Sequence, residues 1–182
     1  IPEVSSSLEP VSSLHVNTFL APLAQVPGGR TSLYDAILTG LGQLKKARHG
    51  RRALVLISDG GDNQSVAAWS NVERALEESQ TIVYGVGVFA AHDKEADPGV
   101  LHRLARQTGG LSILDPNARE LVTTCHKIAE DLRSRYQLGF VVSESDAAGL
   151  RRLKVEASRN GRRLQVRARK SYRLPKPHDE VE

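Results

Sequence analysis

The sequence predicts a three-layer α/β fold in which helices flank a mostly parallel sheet, and three observations predict it. Residues 53–57 (Ala-Leu-Val-Leu-Ile) and 81–88 (Thr-Ile-Val-Tyr-Gly-Val-Gly-Val) are nearly uninterrupted apolar runs, as expected of parallel strands covered on both faces. Segments with apolar residues at helical spacing lie before, between and after these runs. The chain then changes to strict apolar/charged alternation around Asn160-Gly161, the pattern of an antiparallel hairpin with one face toward water.

Residues 1–30 mix Ser, Pro and Gly with one modest apolar stretch at 14–23 and close on Pro27-Gly28-Gly29-Arg30, a loop signal. From Thr31 or Ser32 a helix is expected, because Leu33, Ile37, Leu41 and Leu44 recur on one face and Gly50 follows. After the strand at 53–57, Ser70 and Glu73 have the spacing of a capping box for a second helix, with Val72, Ala75 and Leu76 inward. That helix leads to the strand at 81–88, and the β-α-β crossover should be right-handed. A third helix starts at Pro98, suited to a first helical turn, and stops before Gly109-Gly110, after which 111–114 supply a short strand. Leu121, Cys125, Ile128 and Leu132 mark a fourth helix starting near Asn117. A strand at 136–142 is expected to extend the sheet, followed by the hairpin of 153–157 and 164–168. The expected organisation is a poorly defined segment 1–30, a core 31–142, a basic hairpin extension 143–174 and a frayed tail 175–182.

A chain of 182 residues fits one domain and is long enough to fold without staples. Its single cysteine, Cys125, allows no intrachain disulfide, so cysteine usage says nothing about compartment. No stretch approaches the roughly 20 apolar residues of a membrane span, and the opening residues lack the basic start and apolar core of a signal peptide. The chain starts at Ile1 and contains no methionine, from which a fragment of a longer protein is expected. Its net charge of +4 is concentrated late, where Arg152, Lys154, Arg163, Arg167 and Arg169 form a candidate basic patch opposed by little more than Glu156.

Two segments carry a family resemblance: Gly28-Gly29-Arg30-Thr31-Ser32-Leu33-Tyr34-Asp35-Ala36-Ile37, and 53–63, which ends in Ser58-Asp59-Gly60-Gly61-Asp62-Asn63. In wording and spacing they resemble the second and third metal-loop motifs of von Willebrand factor type A (VWA) domains. Val83-Tyr84-Gly85-Val86-Gly87, the stretch 101–110 and the stretch 128–140 extend the likeness to a bacterial VWFA-related branch over roughly residues 20–174.

The resemblance implies a binding module and not an enzyme, acting in adhesion or complex assembly through a metal-ion-dependent adhesion site. It places Thr31 and Asp59 as hard oxygen ligands of Mg2+ or another divalent cation, with Thr31, Ser32, Asp59, Gly60 and Gly61 facing a protein partner that offers an acidic residue. The family's first loop, Asp-x-Ser-x-Ser after the central strand, has no counterpart before Thr31, and Ser5-Ser6-Ser7 does not replace it. A cation is therefore expected in the intact domain and none bound tightly by this chain alone. If upstream strands belong beside 53–57, an apolar edge or face must be covered by the first 30 residues, an upstream segment or another chain, which makes self-association a candidate property. The resemblance also implies an extracytoplasmic location.

Each motif has a plainer reading. Thr31 suits a helix cap, Asp59 an ordinary turn, and Asp62 and Asn63 are expected as turn or helix-start residues and not ligands. The histidines do not cluster, and Cys125-His126 are adjacent helical positions that face apart, so no zinc site or Cys-His pair is expected. No Gly-x-Ser-x-Gly elbow or phosphate-cradling Gly-x-x-x-x-Gly-Lys-Ser/Thr loop occurs. Two rival functions remain. One is a metal-assisted phosphoester hydrolase using Asp59 and Asp62, which lacks a nearby general base. The other is a nucleic-acid or anionic-surface binder using the hairpin arginines. Nucleic acid is not the expected partner, because almost no aromatic residue is interleaved with those arginines.

Overall fold

A computed structural model describes residues 31–47, 52–89, 94–114, 120–140, 142 and 148–174. The elements are α1 (Leu33–Lys45), β1 (Ala53–Ser58), α2 (Trp69–Glu78), β2 (Ile82–Gly87), α3 (Pro98–Thr108), β3 (Ser112–Leu114), α4 (Glu120–Arg133), β4 (Gly149–Arg152), β5 (Ala157–Arg159), β6 (Arg162–Leu164) and β7 (Ser171–Leu174). Strands β1, β2 and β3 form a parallel sheet in that order, with Val55 beside Tyr84, Ile57 beside Val86 and Val86 beside Ile113.

Because side chains alternate across a strand, the register sorts the core into two halves. Leu54, Leu56 and Val83 meet Leu33, Ile37 and Leu41 of α1, Val72 and Leu76 of α2, and Val100 and Leu104 of α3. Tyr84 and Val86 on the opposite face meet Ile128 of α4, with Leu121, Leu132, Ile82 and Ile113 around them. Three helices on one face and one on the other make the three layers the sequence predicts.

Helix ends follow their local chemistry. Asp97 is the N-cap of α3 and its carboxylate accepts from Gly99 N at 3.0 Å, Pro98 occupies the first turn, and Gly109 closes the helix at φ +80°. At α2 the expected box on Ser70 and Glu73 is displaced: Ala68 is the N-cap, and Asn71 Oδ1 accepts from Ala68 N at 3.0 Å. Alanine has no acceptor with which to complete the reciprocal bond.

Two strand expectations are corrected. Strand β1 is not covered on both faces: it is an edge of the sheet among the described residues, and Val55 and Ile57 are 45% and 54% exposed on the α4 side. Residues 136–140 and 142 do not form a strand; Phe140 instead sets its ring edge-on to Tyr172 of β7, centroids 5.5 Å apart. The stretch at 14–23, Gly50 and Asn117 lie outside the described residues.

The expected turn is present, but residues 153–156 and 165–168 of the expected strands are not paired as strands, and the ladder forms in two pieces on either side of them. Asn160 and Gly161 take φ +50° and +75°, the two-residue turn such a pair favours, between β5 and β6. Strands β4 and β7 pair further back, and the ladder breaks between them because residues 153–156 on one side face the longer segment 165–170 on the other. The longer segment bows toward the body. Arg169 donates to Leu76 O at 2.7 Å and Thr81 O at 3.0 Å, Lys170 N donates to Gln107 O at 3.2 Å, and Arg167 pairs with Asp131. Gly109 permits this approach, since a Cβ there would lie 2.7 Å from the Ala168 carbonyl carbon. The extension is thus strapped to the C-terminal ends of α2 and α3.

Candidate functional site

In an open α/β sheet, ligands meet the carboxyl ends of the strands, where loops and helix N-termini converge. Here that edge holds the start of α1, the loop from Asp59 to Ala68, and residues 95–97 before α3. The first two segments, far apart in sequence, are laced together. Asn63 Oδ1 accepts from Thr31 N at 2.8 Å, and Thr31 O accepts from Asn63 N at 3.0 Å and Gln64 N at 3.2 Å. Asp62 Oδ1 accepts from Tyr34 N at 3.1 Å and from the Ser65 hydroxyl, whose oxygen in turn accepts from Asp35 N at 3.2 Å. The Asp35 carboxylate closes the loop by accepting from Val66 N at 2.9 Å and Ala67 N at 3.0 Å.

These bonds satisfy two open amides of the first turn of α1, those of Tyr34 and Asp35. The structure therefore corrects the plainer reading of Thr31 and Ser32. The N-cap residue is Ser32, it makes no side-chain cap bond, and Asp62 and Ser65 cap the helix from across the edge. Thr31 engages through its backbone, and Ser32 is exposed.

Asp59 follows β1 directly. Its Oδ1 accepts from Gly61 N at 3.0 Å and the Ser58 hydroxyl at 3.3 Å, while its carbonyl accepts from Asp97 N at 3.1 Å. Gly60 and Gly61, expected to face a partner, are instead buried beneath residues 95–97. Gly60 has φ +84°, and a Cβ there would lie 2.1 Å from Asp97 O, so the position needs glycine both for its backbone angle and for space. Their role is to set the turn that presents Asp59.

Sequence reasoning missed the part played by Asp35, Asp62, Asn63 and Ser65. The Asp-Asn pair after a Gly-Gly step signals a turn, but nothing local shows that its partners are around 30 residues upstream. It also missed Val66, a valine 97% exposed on the laced loop. Beside it, Trp69 meets Tyr34 edge-on at 5.6 Å and carries the Arg103 guanidinium 5.0 Å from its ring centre. Burial, and then the nearby Asp62 and Asp97 carboxylates, push the Tyr34 hydroxyl above its usual pKa despite Arg103.

Thr31 and Asp59 share this edge, and both supply hard oxygens suited to a divalent cation. They fill only part of an octahedral set: Asp62 is bonded into the loop, and no group of three or more His, Cys, Asp or Glu among the described residues could hold a metal ion. The basic patch does not assemble as one surface. Arg169 turns inward, Arg167 is paired with Asp131, Arg163 and Lys154 share Glu156, and Arg152 lies exposed on β4. Among the described residues no helix is long and apolar enough to cross a membrane.

No curated protein and no solved structure matches the chain. A family model for the von Willebrand factor type A domain matches residues 3–126, more than half of the chain. That span takes in the laced edge, the whole parallel sheet and the first turns of α4. The match and the helix-flanked parallel sheet lead to one conclusion: the chain belongs to the von Willebrand factor type A domain family.

Proposed function

We propose that the chain is a protein-binding module, acting in adhesion or complex assembly outside the cytoplasm, whose contact surface is the edge at Thr31, Ser32 and Asp59. Domains of this family typically mediate protein interactions. The observation that carries the assignment to this edge is the lacing of α1 to the 59–67 loop, which holds two segments in one shape before any partner arrives. Binding surfaces gain affinity when ordering costs are met in advance. The Trp69–Arg103 stack next to the polar centre is of the residue types from which interface hot spots are drawn, and Val66 adds an exposed apolar contact beside it.

A divalent cation held in part by Thr31 and Asp59 in the intact domain would supply the contact to a partner's carboxylate. No reaction is catalysed at this edge. The hydrolase alternative requires Asp62 as a second working carboxylate, and that group caps α1.

Selection of peptides from a random displayed library, with Mg2+ present, on the chain preceded by an Asp-x-Ser-x-Ser strand segment tests the reading. Enriched peptides should carry Asp or Glu and should lose binding to Asp59→Asn and to Ser32→Arg. Enrichment of peptides without a carboxylate, or equal binding to both variants, contradicts it.

A further inference from the structure

The tip of the C-terminal hairpin offers a second surface, remote in sequence from the laced edge. Strands β5 and β6 pair with each other and pack extensively on no other described element, and every residue from Ser158 to Gln165 is exposed. A two-stranded ribbon of this kind is marginal by itself. The pair next to the turn makes matters worse, because Arg159 lies directly opposite Arg162, and like charges so placed repel. Neither arginine has an ion-pair partner among the described residues, unlike Arg163, Arg167 and Arg173, which pair with Glu156, Asp131 and Glu77. The fold gives these three arginines carboxylate partners and leaves the two beside the turn unopposed among the described residues.

The pairing also fixes what lies on the same face. Ala157 sits opposite Leu164, two positions along from the Arg159–Arg162 pair, so the arginines share their face with a leucine that is 48% exposed. We propose that this tip docks on an anionic phospholipid surface, with Arg159 and Arg162 on headgroup phosphates and Leu164 at the acyl boundary. The shape of the tip selects this occupant. A specific protein partner needs an interface of about 1,000 Å² with close complementarity, which a protruding ribbon with three residues per strand does not present. A bilayer interface takes up each cation and each apolar side chain separately, with no such threshold. Single-stranded nucleic acid calls for stacking platforms, and no aromatic residue lies between Ala157 and Leu164.

Co-sedimentation with phosphatidylcholine vesicles, with and without about 30% phosphatidylglycerol, tests the proposal at low and moderate salt. Binding should require the anionic lipid and weaken as salt rises. Each arginine contributes about fivefold, so Arg159→Gln/Arg162→Gln should weaken binding roughly 25-fold while circular dichroism stays unchanged and the melting midpoint does not fall, since the substitutions remove a repulsive pair. Leu164→Ser should weaken it by a smaller factor. Absence of binding to anionic vesicles, or binding indifferent to the double substitution, overturns the proposal. So does tighter arginine-dependent binding to duplex DNA or polyglutamate than to the vesicles.

Discussion

Asn63 Oδ1 accepts the Thr31 amide hydrogen at 2.8 Å while the Thr31 carbonyl accepts from Asn63 N at 3.0 Å, a reciprocal clasp across 32 residues of sequence. Through it the loop after β1 and the first turn of α1 behave as one body, and Asp59 and Thr31 keep a fixed relation to each other.

The same coupling makes Asp62 a structural residue. Asp62→Ala removes the acceptor for Tyr34 N and for the Ser65 hydroxyl. The loss should be about 1 kcal/mol, a fall of roughly 2–4 °C in the melting midpoint. Asp62→Asn keeps an acceptor and should cost less. Equal midpoints for Asp62→Ala and the unaltered chain would show that the cap contributes nothing.

At the other end of the sheet Asp131 is the hub. It accepts from the Tyr84 hydroxyl at 2.7 Å, from Arg135 Nε at 2.9 Å and Nη2 at 2.7 Å, and from Arg167 of the strap. Asp131→Ala removes the acceptor of the Tyr84 hydroxyl and the carboxylate partner of Arg135 and Arg167, leaving Arg135 only its bonds to the Tyr84 hydroxyl oxygen and Gly109 O. Urea unfolding should show a loss of about 2 kcal/mol, and a change below about 0.5 kcal/mol, the scale of an ordinary surface substitution, would contradict the hub.

The hub also fixes how stability responds to acid. Burial alone would raise the Asp131 pKa, but the hydrogen bonds from Tyr84, Arg135 and Arg167 and the charge of Arg135 outweigh it and hold the carboxyl below its usual range. Its contribution is therefore complete above the unfolded-state pKa of about 4 and disappears as pH falls through the folded value. Unfolding followed from about pH 7 downward should show a drop in stability below about pH 4 that is smaller in Asp131→Asn.

Most of the fold was legible in the sequence, because each of its signals is local. Apolar runs placed β1 and β2, Pro98 and Gly109 bracketed α3, and Asn160-Gly161 located the hairpin turn. Signals failed where a residue's partner is distant. The alternation of 164–168 assigns Arg167 and Arg169 to a solvated face, yet both reach back to the body, Arg169 to the carbonyls of Leu76 and Thr81. Tyr136, Leu138 and Phe140 alternate as a strand does but find no pairing edge among the described residues. At the site, the motif spacing pointed to Thr31 and Asp59, whereas the residues that hold them, Asp62 and Asn63, looked like ordinary turn formers.

The strap itself is open to test through Arg169, whose guanidinium is largely buried, lowering its pKa, and caps the end of α2 with a cation. Arg169→Ala should cost about 2 kcal/mol. Hydrogen exchange should quicken at the amides of Lys170 and Leu153, which donate to Gln107 O and Lys170 O. Unchanged exchange at both would mean that the strap holds without its arginine.

The central claim concerns the edge at Thr31 and Asp59, and calorimetric titration with Mg2+ and Mn2+ tests it most directly. The measurement compares this chain with the same chain preceded by an Asp-x-Ser-x-Ser strand segment, each with and without Asp59→Ala. Tight binding by the extended chain alone, abolished by Asp59→Ala, is the expected result. Tight binding by the shorter chain, or binding by the extended chain that survives the loss of Asp59, would contradict the account.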